Sequence, residues 1–224
     1  NSSKSEINHL LVENTAGLNA GILNLTGGFT IYNSDISINA LEINQTAAED
    51  AINIVNSKID INDLKINGSR SDAFDCDFCV GYIYNSSIDG SGGDGFDFSG
   101  SNVLLKDVLI DNVKDKAISA GENSKLQVLD SAFNRVGVGI AAKDSSEVSG
   151  RELSITDYAL YAGMTYQKKS IFGQFSSLNI TYVHFEGVNP FKRQMGTDLT
   201  VNDIEILETS LSVKDLYSQG VMKK

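Results

Sequence analysis

Asp75, Asp77 and Asp97, with Lys143 and Lys168 further along, are the residues of this chain whose types and spacing suit chemistry. Asp75 and Asp97 are separated by 22 positions. If the chain repeats at that period, the two occupy equivalent outward positions on neighbouring structural units, about 5 Å apart by the spacing of paired strands. Asp77 lies on the same side of its strand, and Glu122, Lys143, Asp144, Lys168 and Lys169 follow on later units, so the stripe passes from acidic to basic. Carboxylates this close repel one another, which implies a raised carboxyl pKa, a bound cation or a neighbouring base. Asp75, Asp77 and Asp97 form an oxygen-only set of the kind that suits Ca²⁺. The alternative is turn chemistry: Asp, Asn and Ser at tight corners bond their own backbone and stack as solvated ladders.

The elements that must position these residues follow from the repeat. Stepping by 22 from Asp50-Ala51-Ile52 gives Asp72-Ala73-Phe74, Asp94-Gly95-Phe96, Lys116-Ala117-Ile118 and Val138-Gly139-Ile140. The first position is mostly polar, the second always Ala or Gly, and the third always large and apolar. Short alternating runs fill the rest of each unit, such as KIDINDLKING at 58–68 and NVLLKDVLIDN at 102–112, separated by Gly, Asn, Ser and Asp. Alternation predicts strands with one buried face, and the separators predict tight turns. One unit cannot bury its apolar face alone, whereas stacked units can. The third and fifth positions then point inward, and the fourth (Asn53, Asp75, Asp97, Ser119, Ala141) points outward.

Leucine-rich, helical and left-handed six-residue repeats fit this pattern poorly. The run from GGDGFDFSG at 92–100 through SSEV at 145–148 resembles the parallel β-helix repeats of the pectate-lyase-like superfamily. The resemblance covers roughly residues 20–210. It implies an all-β, right-handed parallel β-helix solenoid of about 22 residues per coil with short terminal caps. It also implies a module that binds or processes polysaccharide, lyase- or epimerase-like if catalytic. In that setting Asp75, Asp77, Asp97 and Glu122 supply the acidic side with Ca²⁺, and Lys143 or Lys168 supplies the base or substrate clamp. Asp75, Asp97, Lys143 and Lys168 are thus the candidate catalytic residues, and Asp77, Glu122, Asp144, Lys169 and Tyr166 the candidate substrate contacts. The superfamily also includes non-catalytic surface proteins, so a structural, adhesive or assembly module of a larger surface protein is the competing expectation. GGDGFDFSG resembles a Ca²⁺-binding nonapeptide as well, but it occurs once.

Composition narrows the partners. A net charge of −11, from 29 acidic and 18 basic residues, opposes nucleic-acid binding, which needs clustered cations. No apolar run approaches the roughly 20 residues that span a bilayer. The expected partner is a polysaccharide or acidic oligosaccharide, or other domains of a larger protein. The expected setting is secreted, periplasmic or cell-surface, although the opening NSSKSEIN has no apolar signal core. Trp, the favoured sugar-stacking residue, is absent, and Tyr82, Tyr84, Tyr158 and Tyr166 are its substitutes.

Cys76 and Cys79 lack two further ligands for zinc and read as packed thiols or a disulfide. Lys168, Lys169, Lys192 and Arg193 form a basic loop patch, and His184 reads as a packed strand residue. The whole chain, 1–224, reads as one domain: cap or first coil over 1–20, coils over 21–211 with longer loops in 158–200, and a short helix or cap over 212–224. The last is signalled by Ser212 and Asp215, spaced as a capping box.

Overall fold

The computed structural model describes residues 4–218 and 220–222. It is an all-β parallel solenoid of about 8 turns, with coils about 22 residues apart. Each coil bends at three corners and contributes strands to three faces. Face 1 carries the outward row Thr30, Asn53, Asp75, Asp97, Ser119, Ala141, Met164 and Lys192, each in parallel register with the next. Face 2 carries Asp60, Tyr82, Leu104, Gln127, Ser149, Asn179 and Thr200. Face 3 carries Asn44, Asn67, Asp89, Asp111, Asn134 and Thr156.

Alternation along each strand turns the complementary rows inward. Behind face 1 lie Ile52, Phe74, Phe96, Ile118 and Ile140, all fully buried. Phe74, Phe96 and Phe98 pack ring against ring, with centroids 5.2–6.0 Å apart. The small second position of the repeat has a steric cause. A Cβ on Gly95 would lie 2.7 Å from the Ala117 carbonyl oxygen, and one on Gly139 would lie 2.3 Å from that of Ala162.

Corners demand left-handed backbone, which Asn, Asp and Gly adopt at least cost. One corner column reads Asn33, Asn56, Phe78, Gly100 and Asn123; a second reads Asp63, Asn85, Asp107, Asp130 and Glu152; all have φ between 48° and 65°. Serines just past these corners satisfy buried amides across coils. Ser124 Oγ accepts from the Ser101 amide, and Ser146 Oγ from the Ser124 amide, each at 3.1 Å. Asparagine amides stack similarly, Asn85 donating to Asn62 and Asn67 to Asn44, both at 2.8 Å. Cys76 and Cys79 are bonded to each other as a disulfide and are fully buried.

At each end the structure takes one of the alternatives that the sequence left open. Ser5–Ile7 and Leu10–Glu13 pair in parallel with Ile36–Ile38 and Leu41–Thr46, so they form a first coil and not a separate cap. A hairpin, Leu18–Ala20 with Leu23–Leu25, is inserted into that coil. The expected cap over 1–20 includes 1–3, which lie outside the described residues. Ser212 does cap a helix, accepting from the Asp215 amide at 3.2 Å. That helix, α1 (Val213–Ser218), does not cover the end of the solenoid. It lies along face 1, where Leu216, Tyr217 and Met222 pack on Val138, Ala141, Met164 and Tyr166. Residues 219, 223 and 224 of the expected 212–224 segment lie outside the described residues. The irregular stretch 158–200 stays in the ladder: after a register shift near Tyr158, Gly163–Thr165 pair with Ile140–Ala142 on one side and with Phe191–Arg193 on the other, and residues 167–176 leave as a loop.

Candidate functional site

Face 1 brings the predicted stripe together. Asp75 and Asp97 are direct register partners, as are Asp77 and Ser99. Two coils beyond Asp97, Lys143 reaches back: its Nζ lies 3.5 Å from Asp97 Oδ1 and 2.5 Å from Ser119 Oγ. Lys143 can do so because the residue beneath it is Gly121, whose missing side chain leaves room for the lysine stem. Glu122 and Lys169 form an ion pair at the corner. Lys168 is exposed, with its Nζ 4.8 Å from the centroid of the Tyr217 ring.

Two predicted contacts are placed where a surface ligand does not reach them. Tyr166 is fully buried under α1, its hydroxyl 2.7 Å from that of Tyr217. Asp144 is also fully buried, and Oδ1 accepts from the Lys168 and Lys169 amides at 2.7 Å each. Asp144 therefore holds the start of the 167–176 loop and so aims Lys168 and Lys169. The basic patch is divided as well. Arg193 turns inward and pairs with Asp198, Glu205 and Glu208, while His184 faces outward beside Glu186. Tyr82 and Tyr84 are on face 2, away from the stripe.

Sequence reasoning missed a second row. Asp50, Asp72, Asp94 and Lys116 are the first position of the repeat, and they flank the stripe on the same face. Lys116 is buried, 3.0 Å from Asp94 Oδ1 and 2.7 Å from Asp115 Oδ1. The signal was present in the repeat itself, where a polar first position recurs beside an invariant small residue. Asn53 was also missed: it is buried and donates to Asp75 Oδ2 at 2.7 Å.

Neighbouring carboxyls of face 1 are driven in opposite directions. Burial, followed by repulsion from Asp97 and Asp77, pushes Asp75 up to about 9. Burial likewise raises Asp72 to about 7, reinforced by Asp94, and Asp50 to about 6, opposed by a hydrogen bond from Thr26. Asp77 moves up for the same first reason. At Asp97 burial is outweighed by Lys143, Lys116 and the Ser119 hydroxyl, and the carboxyl is held below its usual range. Burial would lower Lys116, but Asp94 and Asp115 hold it firmly charged. Lys143 is raised against burial by Asp97. Lys168, at the rim, is pulled down by partial burial and by the Lys143 and Lys116 ammonium groups. A proton-holding carboxyl thus stands beside an ionised one, the condition for dividing acid and base roles.

The same geometry does not fit Ca²⁺. Asp97 is already neutralised by Lys143, Asp75 is occupied by Asn53, and among the described residues no group of three or more His, Cys, Asp or Glu side chains converges to hold a metal ion. Comparison with protein-family models, curated proteins and solved structures finds no match to this chain.

Proposed function

We propose that this solenoid is a polysaccharide-recognition module of the cell exterior, and that face 1 binds an acidic glycan laid along the coil axis. The observation that carries the reading is the order of groups on successive coils: Asp75, then Asp97 joined to Lys143 through 3.5 Å, then exposed Lys168. A uronate chain along this line meets hydrogen-bonding carboxyls at one end and an accessible ammonium at the other. The chemistry that fits is proton abstraction from a uronate, with Lys168 as base, Asp75 as the group that retains a proton to give, and Lys143 holding Asp97 ionised between them. The resemblance to lyase and epimerase members of the pectate-lyase-like superfamily points the same way. The buried Cys76–Cys79 disulfide supports an oxidising, exported setting.

Polygalacturonate and alginate tested against the full chain, by calorimetry for binding and by ultraviolet absorbance for unsaturated products, check the proposal. Binding of either that falls at least about tenfold in Lys168→Ala supports it. If neither polymer binds the wild type at millimolar concentration, the reading fails. A second reading, an assembly module without catalysis, is favoured by one observation: the Lys116 and Asp94 charges are buried, as in a structural ion pair. Failure of both polymers to bind, with no unsaturated product, selects it.

A further inference from the structure

Face 2 carries a feature that the acidic-glycan reading does not use. Its central outward row, Tyr82, Leu104, Gln127, Ser149, Asn179 and Thr200, runs through six coils in register without a charged side chain. Two shallow recesses follow this row. One is lined by Val80, Tyr82, Asn102, Leu104 and Gln127, and the next by Asn102, Gln127, Ser149 and Asn179 together with the oppositely charged Lys125 and Glu147. They share Asn102 and Gln127, so they form one continuous track, about 19 Å from Tyr82 to Asn179 at the spacing of parallel strands.

At the head of the track the Tyr82 and Tyr84 rings lie parallel, with an interplanar angle of 9° and centroids 5.8 Å apart. Tyr82 is 50% exposed, although a buried position was available one residue away at Ile83. The charges on this face are paired with opposite charges, so they leave no net charge along the track. Lys125 pairs with Glu147 at 3.2 Å and Lys106 with Asp130 at 3.5 Å. The backbone here is spent in the ladder on both sides, so a peptide strand has no edge to join. What remains is an apolar ring followed by amides and hydroxyls with no net charge. That set is complementary to a chain whose faces are apolar and whose edges are uncharged hydroxyls.

We propose that face 2 is a second carbohydrate site, one that holds a neutral polysaccharide along the coil axis with Tyr82 and Tyr84 as its stacking platform. It is independent of the acidic-glycan site on face 1, and together the two faces would let one module hold two kinds of polymer.

The test uses the full chain and hexasaccharides of β-1,4-glucan, β-1,4-mannan and β-1,4-xylan, titrated calorimetrically. At least one binds. The Tyr82→Ala/Tyr84→Ala pair weakens it by about tenfold or more, the size expected for loss of a central aromatic contact. Tyr82→Phe keeps the ring and binds within about twofold of wild type, and Lys168→Ala on face 1 leaves this affinity unchanged. Tyr82 is exposed and Tyr84 half-buried, and unchanged thermal unfolding certifies the variants as folded. Failure of all three sugars to bind at millimolar concentration overturns the proposal. So does unaltered affinity in both the double tyrosine variant and Gln127→Ala, or displacement of the neutral sugar by polygalacturonate. Loss of polygalacturonate binding alone, in Lys168→Ala, bears on face 1 and leaves face 2 standing.

Discussion

Two neighbouring blocks of face 1 bury charge by different means. In the block formed by Asp50, Asp72, Asp75 and Asp77, carboxyls stack on carboxyls, and Asn53 is the polar partner that reaches Asp75. In the block formed by Asp94, Asp97, Asp115, Lys116 and Lys143, every few ångströms of carboxylate is answered by an ammonium. The scaffold is the same in both: the same strands, register and phenylalanine-rich interior. The side chains that replace carboxyls in the second block, Lys116 for an aspartate and Ser119 for an aspartate, decide the outcome. Beside Lys143 the Asp97 carboxyl is held low, whereas Asp75, with no cation of its own, is pushed up; Asp94 also moves up, because burial outweighs Lys116. The first block therefore stores acid, and the second holds fixed charge at Asp97, Lys143 and Lys116.

The sharpest way to break the contrast is to remove the cation. Lys116→Met leaves Asp94 and Asp115 buried without their ammonium, and a buried pair broken from one side costs about 3–5 kcal/mol. Denaturant unfolding should show that loss at pH 7 as a lower midpoint with an unchanged slope. The double variant Lys116→Met/Asp94→Asn should recover part of it, because one stranded charge is gone. A cost under about 1 kcal/mol for Lys116→Met would mean that the second block is not held by its pairs.

The first block predicts an unusual pH dependence. Asp75 keeps its proton in the fold up to about 9 but releases it near 3.8 when unfolded. Its contribution to stability is complete below the unfolded value and is lost as pH rises towards 9, because the folded state then holds more protons than the unfolded one. Asp72 and Asp50 act in the same direction over narrower windows, ending near 7 and 6. Asp97 acts in the opposite sense, stabilising above its unfolded pKa and failing as pH falls below it. Stability should therefore decline from about pH 5 to pH 8. Asp75→Asn should flatten the decline and raise stability at pH 8 by about 2 kcal/mol, since an uncharged amide replaces a carboxyl that burial penalises. Thermal unfolding across pH decides it: a wild-type profile that is flat or rises between pH 5 and 8 would sink the distinction between the blocks.

The sequence made the solenoid and the first stripe legible for a simple reason. A fixed period converts position along the chain into position in space, so Asp75 and Asp97 had to be neighbours. The same rule would have supplied Asp94 and Lys116, since they occupy one column, but a polar residue at a turn looks alike whether it is solvated or buried. Lys116 of that column faces Tyr217 of α1, its Nζ 6.0 Å from the ring centroid, and α1 comes from outside the repeat. Its docking on Val138, Ala141 and Met164 has no periodic signal, and an amphipathic helix at the end of a solenoid suits an end cap equally well. Tyr166 and Asp144 illustrate the same limit. Both were legible as members of the stripe, but the loop and helix that enclose them follow no repeat.

Helix α1 also supplies the smallest and most discriminating change. Tyr217 lies over the second block: its ring centroid is 6.0 Å from Lys116 Nζ and 4.8 Å from Lys168 Nζ, and its hydroxyl lies 2.7 Å from that of Tyr166. Tyr217→Phe keeps the ring and removes the hydroxyl, so Tyr166 loses a buried partner at a cost of about 1 kcal/mol. The effect should be the same at pH 5 and pH 8, because neither phenol titrates in that range: burial raises both. Acting on the second block alone, it should add to Asp75→Asn within about 0.5 kcal/mol, as separate sites do. A coupling well above that in a double-mutant cycle would join the two blocks into one network, and the acid-storing and charge-storing halves of face 1 would have to be treated as a single site.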